Sequence, residues 1–134
     1  GYAYAINNIG QVAGGAADTV GNQWAFVKKP GQSMQNLGGL GGSWSCAYGL
    51  NDAGQVVGEA PDDSGARRAF LWEKGSICDL NYRTVNLPAG TRLMRARAIN
   101  AAGWIAGSTN KGHAFLLTPL PPPKHVPLEL LLLN

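Results

Sequence analysis

Apolar residues in this chain come in short bursts that alternate with polar or small residues, and Gly, Pro, Asn or Asp interrupts each burst before a helical face is complete. Ala3-Tyr4-Ala5-Ile6 runs into Asn7-Asn8-Ile9-Gly10 and then into Gln11-Val12-Ala13-Gly14. The flanks alternate with the period of a strand. Between them, Asn-x-x-Gly supplies a turn former and a residue that takes a positive φ without a Cβ clash, which predicts a β-hairpin. Further on, Trp24-Ala25-Phe26-Val27 is a nearly continuous apolar run, as suits a central strand covered on both faces. Lys29-Pro30-Gly31 marks a tight turn, and Met34 to Leu37 reads as a fourth strand.

The same order returns twice. The hairpin segment recurs from Ala47 to Gly58, with Asn51 and Gly54 at its turn, and from Ala96 to Gly107, with Asn100 and Gly103. The apolar run recurs as Arg68-Ala69-Phe70-Leu71-Trp72 and His113-Ala114-Phe115-Leu116-Leu117. Asn7 and Asn51 stand 44 residues apart, Asn51 and Asn100 49, Phe26 and Phe70 44, and Phe70 and Phe115 45. A period near 45 marks a repeat architecture. Tyr82 to Arg92, with Pro88 and Gly90, reads as a surface-loop insertion that lengthens one interval. Gly75-Ser76-Ile77-Cys78-Asp79-Leu80 matches the fourth strand of the first copy, while the last copy lacks such a segment.

Each copy therefore predicts a four-stranded antiparallel meander. The fold class expected is all-β, with β-propeller-like blades at about 1–46, 47–95 and 96–119, the last incomplete, and a proline-rich tail at 120–134 that adds as an edge strand. In the second hairpin, alternation puts Tyr48 and Leu50 on one face and Ala47, Gly49 and Asn51 on the other; the small residues imply close approach by a neighbour. A β-trefoil is the alternative, since three such units also make a complete domain of this length. The missing fourth strand and the abrupt start at a motif boundary weigh against it, and suggest a segment of a longer array.

At these motifs the chain resembles the HAF repeat family of extracellular bacterial proteins, named for the tripeptide that stands here as His113-Ala114-Phe115. The family pattern A-x-x-I-N-x-x-G-Q-V-V-G is met by Ala47 to Gly58, the H-A-F-L-W block by Ala69 to Trp72, and G-x-M-x-D-L-G-x-L-G-G-x-x-S by Met34 to Ser45. Trp24 and Arg68 replace the first motif residue, Asn36 stands where an acid is usual, and Trp104 where Gln is usual. The resemblance covers Ala3 to about Pro119. It implies an exported or surface-associated, propeller-like array, and it implies no reaction.

Composition adds exclusions. With 45% hydrophobic and 14% charged residues, the 134-residue chain can bury one sizeable core and is not disordered. A net charge of +3 is scattered, so no nucleic-acid surface is expected, and no apolar run is long enough to span a membrane. Cys46 and Cys78 could form one bridge but lack zinc spacing. His113 occupies a position held elsewhere by Trp24 and Arg68, which argues against a general base, and His125 has no ligand set around it. Asp18, Asp62 and Asp63 sit in Gly-containing loops, where carboxylates form Asx turns far more often than calcium sites. No serine has a nucleophile elbow, and Gly38-Gly39-Leu40-Gly41-Gly42 lacks the ending of a phosphate loop, reading instead as a crossing between units.

The recurring positions Asn7, Gly10, Gly14, Phe26, Asn51, Gly54, Gly58, Phe70, Asn100, Gly103, Gly107 and Phe115 are accordingly structural, and Trp44 is the candidate for stacking on a ligand. The function expected is a noncatalytic extracellular or cell-surface module with a structural, self-assembling role, without cofactor or metal. It would form homo-oligomers or filaments through exposed blade faces and edges. The alternatives are a carbohydrate-binding, lectin-like module and an accessory domain of a secreted hydrolase.

Overall fold

A computed structural model of the chain describes residues 1–120 and 128–133. The fold is all-β, built of antiparallel sheets that together curl as a half-barrel. Strands β1 (Tyr2–Ile6), β2 (Val12–Ala17), β3 (Gln23–Lys28) and β4 (Gln35–Gly38) form one meander, and β5 (Cys46–Leu50), β6 (Val56–Pro61), β7 (Arg67–Glu73) and β8 (Ser76–Asp79) a second. A single helical turn, α1 (Leu80–Arg83), and a two-residue strand, β9 (Thr84–Val85), precede β10 (Leu93–Ile99), β11 (Ile105–Thr109), β12 (Ala114–Pro119) and β13 (Leu128–Leu133). The third sheet runs in the order β10-β11-β12-β13-β9.

Two expectations change here. The missing fourth strand of the third sheet is supplied by β13, which pairs antiparallel with β12 from Ala114↔Leu133 to Pro119↔Leu128 and parallel with β9, so it has a neighbour on each side and β9 forms the edge. The Tyr82–Arg92 insertion is not merely a loop: it finishes α1 and contributes β9. Asn81, in α1, fixes the chain that follows by donating from Nδ2 to the Leu93 carbonyl (3.0 Å) and accepting the Leu93 N–H (2.8 Å). The trefoil alternative does not fit, because its shared barrel requires ladders among strands of all three units. Among the described residues, the first two meanders share only isolated bridges from Leu40 and Gly41 to Asp62. Pro121-Pro122-Pro123, His125 and the rest of 121–127 lie outside the described residues.

The sheets bury one another face to face. β5 packs on β1, β2 and β3, and β10 packs on β5, β6 and β7. The side chains of β7 alternate between the two joints: Phe70 and Trp72 enter the cluster shared with Ala13, Ala25 and Val27 of the first sheet, while Ala69 and Leu71 enter the one shared with Ile105, Phe115 and Leu117 of the third. That double burial accounts for the continuous apolar run in its sequence.

All three hairpins have one register. Ala3, Ala47 and Ala96 pair with Gly14, Gly58 and Gly107, the next residue is skipped, and pairing resumes at Ala5, Gly49 and Ala98. The skipped residues Tyr4, Tyr48 and Arg97 are β-bulges, and a bulge resets the side-chain alternation. Contrary to simple alternation, Ala47 and Leu50 thus share one core cluster facing the first sheet, whereas Gly49 backs onto Arg97 and Ala98 of the third.

Candidate functional site

The recurring residues meet at the joints between sheets. Each Asn heads its hairpin turn: its N–H donates across the turn to the carbonyl of Gln11, Gln55 or Trp104 at 3.1 Å, and its carbonyl accepts the N–H of Gly10, Gly54 or Gly103. Those glycines have φ of 80°, 81° and 82°, the region only glycine enters freely. Oδ1 accepts the N–H four residues on, from Gln11 (2.9 Å), Gln55 (3.0 Å) and Trp104 (2.9 Å). The side-chain amide then reaches out of its own hairpin. Asn7 Nδ2 donates to the Asn51 carbonyl (3.1 Å), and Asn51 Nδ2 donates to the Asn100 carbonyl (3.0 Å). The three turns are tied into a directional ladder that crosses both joints. In the first two turns Nδ2 also donates to Gln11 Oε1 or Gln55 Oε1; Trp104 removes that acceptor from the third. Beside the ladder, Asn8 donates from its backbone and side chain to Asp52, whose carboxyl the Asn8 amide holds below its usual range.

Gly14, Gly58 and Gly107 are set by the bulges. A Cβ at these positions would lie 1.9 Å from the Tyr2 carbonyl oxygen, 2.0 Å from that of Cys46 and 1.9 Å from that of Arg95. The rings of Phe70 and Phe115 lie directly on Gly58 and Gly107, and Phe26 pairs across the ladder with Gly14. Glycine and phenylalanine thus form one packing unit: removing a Cβ on one strand makes room for the ring on the next.

A second repeated turn joins the second and third strands of each sheet. Asp18 Oδ1 accepts the N–H groups of Val20 and Asn22, Asp62 Oδ1 those of Ser64 and Ala66, and Thr109 Oγ1 those of Lys111 and His113. Asp63, expected in the same role, heads no such turn; Asp18 and Asp62 do. Their second oxygens accept from Trp24 Nε1 (2.9 Å) and Arg68 Nε (2.7 Å), the residues in the first position of the apolar motif. That position holds a donor aimed at the turn acid, which explains how Trp and Arg can both stand there. The Ser64 hydroxyl, then Arg68, hold the Asp62 carboxyl well below the ordinary carboxylate range, and the Trp24 indole lowers Asp18.

Buried polarity extends beyond the recurring asparagines and turn acids. Ser45 is fully buried; its Oγ accepts the Ala25 N–H (2.8 Å) and donates to the Gly38 carbonyl (2.6 Å), stitching the glycine-rich crossing to β3. Glu59, 2% exposed, accepts the Tyr48 hydroxyl at 2.7 Å and faces Arg95 Nε at 3.1 Å. The guanidinium and carboxylate are close enough to attract but misaligned for an N–H···O bond, so these two buried atoms hold each other by charge alone. Burial, then the bond to Glu59, pushes the Tyr48 hydroxyl far above its ordinary pKa, and burial raises the Cys46 thiol. The one available signal was a glutamate inside the apolar strand Val56–Pro61, four strands before an arginine in Leu93–Ile99.

The bridge left open between Cys46 and Cys78 is not formed; both are free thiols. Trp44 is half-buried beside Gly42, Pro61 and Asp63, with the Arg67 guanidinium 5.5 Å from its ring centroid, so one face of the indole is already engaged. The His113 side chain is exposed. Among the described residues no three His, Cys, Asp or Glu side chains gather to hold a metal, and no helix is long and apolar enough to cross a membrane. Comparison with protein-family models, curated proteins and solved structures finds no match.

Proposed function

We propose that the protein is a noncatalytic extracellular or cell-surface module of the HAF-repeat kind, whose sheets act as propeller-like blades and whose role is structural, through assembly with itself. The observation that carries this reading is the asparagine ladder. Two of the recurring asparagines, Asn7 and Asn51, each use the side-chain amide to join one sheet to the next. The resemblance of the motifs supports the location, and the common register of the three hairpins supports the blade reading.

Sedimentation equilibrium over a micromolar concentration series tests the reading. The expected result is an average mass that rises with concentration above the 14.0 kDa of one chain. A single 14.0 kDa species throughout the series would overturn it.

A further inference from the structure

We propose that the outer face of the third sheet receives the outer face of the first sheet of a second copy of this chain, head to tail and in the register of the two internal joints, with Asn100 Nδ2 of one copy donating to the Asn7 carbonyl of the next. The inference rests on the self-assembly reading above and adds to it the two faces and their direction.

The faces are copies of surfaces the molecule already buries. Ala13, Ala25 and Val27 point forward from the first sheet and are closed off by the second; Val57, Ala69 and Leu71 point forward from the second and are closed off by the third. Their counterparts by register are Ala106, Ala114 and Leu116, of which the two alanines are exposed and the leucine is half-buried. Leu131 and Leu133 pair with Leu116 and Ala114, widen the same face, and are 55% and 43% exposed. At the opposite end, Ile6 is 72% exposed although its counterpart Leu50 is 8% exposed, and Ala3 is exposed although Ala47 and Ala96 are fully buried. Apolar surface of this extent on both ends is what a joint removes from water.

The polar groups decide which partner fits and which way round it sits. At the internal joints an asparagine amide donates forward to the next turn's carbonyl. Among the described residues Asn100 Nδ2 has no acceptor, and the Asn7 carbonyl accepts only from Gly10 of its own turn, at 3.2 Å. One end therefore offers a donor and the other an acceptor. The bulge residues form a second row: the Tyr4 ring meets the Tyr48 ring edge-on at 5.2 Å, and the Arg97 guanidinium lies 5.2 Å from the Tyr48 centroid. The next place in that row falls to Tyr4 of another copy, which would give the guanidinium an aromatic ring on its second side. A two-fold pairing would set donor against donor or acceptor against acceptor; a heterologous contact matches both rows.

The test uses two exposed positions, one per face. Ala114→Arg spoils the third-sheet face and Ile6→Glu the first-sheet face, and circular dichroism and melting confirm that each variant folds. In sedimentation velocity, the expected result is that the wild-type chain associates, that each variant alone needs at least about tenfold higher concentration to do so, and that an equimolar mixture of the two forms a 1:1 heterodimer through the one intact pair of faces. If the wild type associates but a single variant still pairs with itself, or the mixture stays monomeric, the head-to-tail contact is overturned while self-assembly stands. If the wild type remains monomeric, both are overturned.

Discussion

At the scale of single residues, the recurring glycines divide into two kinds with different physical causes. Gly10, Gly54 and Gly103 serve a positive φ, a property legible from Asn-x-x-Gly in the sequence. Gly14, Gly58 and Gly107 serve a carbonyl that a bulge pushes toward them, and nothing in the sequence announces a bulge. Gly58→Ala is expected to destabilise the chain by about 3 kcal/mol, at the upper end for overpacking, because a backbone oxygen cannot give way as a side chain can; denaturant melts would read it. The asparagines were legible as turn residues, but their second bond, to a turn 44 or 49 residues away, was not. Asn100→Ala loses only its own turn, at a cost of about 1 kcal/mol, whereas Asn51→Ala also loses the amide's bonds to Gln55 Oε1 and to the Asn100 carbonyl and should cost about 2 kcal/mol. Equal losses in the two melts would remove the ladder as a source of stability. The turn acids set the acid limb. Asp18, Asp52 and Asp62 are held below 3.8 in the folded chain, so their contribution is present above that pH and fades as pH falls through and below it. A melting temperature steady from neutrality to about pH 5 and declining below about pH 4 is expected, with a shallower decline in Asp62→Asn.

At the scale of elements, strand order along each meander could be read from periodicity because consecutive strands pair through short turns. The placement of β13 could not, since its partner β9 lies more than forty residues earlier and consists of Thr84 and Val85 alone, β-branched but too short for alternation to show. The joint between the second and third sheets carries the Tyr48, Glu59 and Arg95 group. Arg95→Met would leave the Glu59 carboxylate buried without its counter-charge and is expected to cost about 3 kcal/mol, the low end for breaking a buried pair, since Arg95 keeps part of its side chain in solvent. Replacing both residues, Glu59→Leu with Arg95→Met, should recover most of that loss in urea melts. Cys46 and Tyr48 set the alkaline limb: their raised pKa values make their contributions complete below the unfolded values of 9.0 and 10.0 and lost as pH climbs beyond them. Tyr48→Phe should therefore flatten the alkaline end of the melting profile, and an unchanged profile would assign that limb to another group.

At the scale of the whole molecule, the main contacts of the first and third sheets among the described residues are both with the second, so the second sheet stabilises both others. Phe70→Ala should cost about 4 kcal/mol and unfold the chain as one unit, visible as a single transition in both near- and far-ultraviolet dichroism; two transitions would mean the outer sheets stand without the middle one. The stacking of sheets was legible from the period of the sequence, since a four-stranded sheet with apolar residues on both faces needs covers. The identity of those covers at the two ends was not, because a periodic pattern looks the same whether its next member lies in the chain or beyond it.

The row of asparagine amides has a further consequence. Every N–H in it points the same way, so the molecule carries an arrow, with hydrogen at its tip and oxygen at its tail. A layer made by laying such chains side by side with arrows aligned would have two chemically unlike sides, and could tell inside from outside without any additional component.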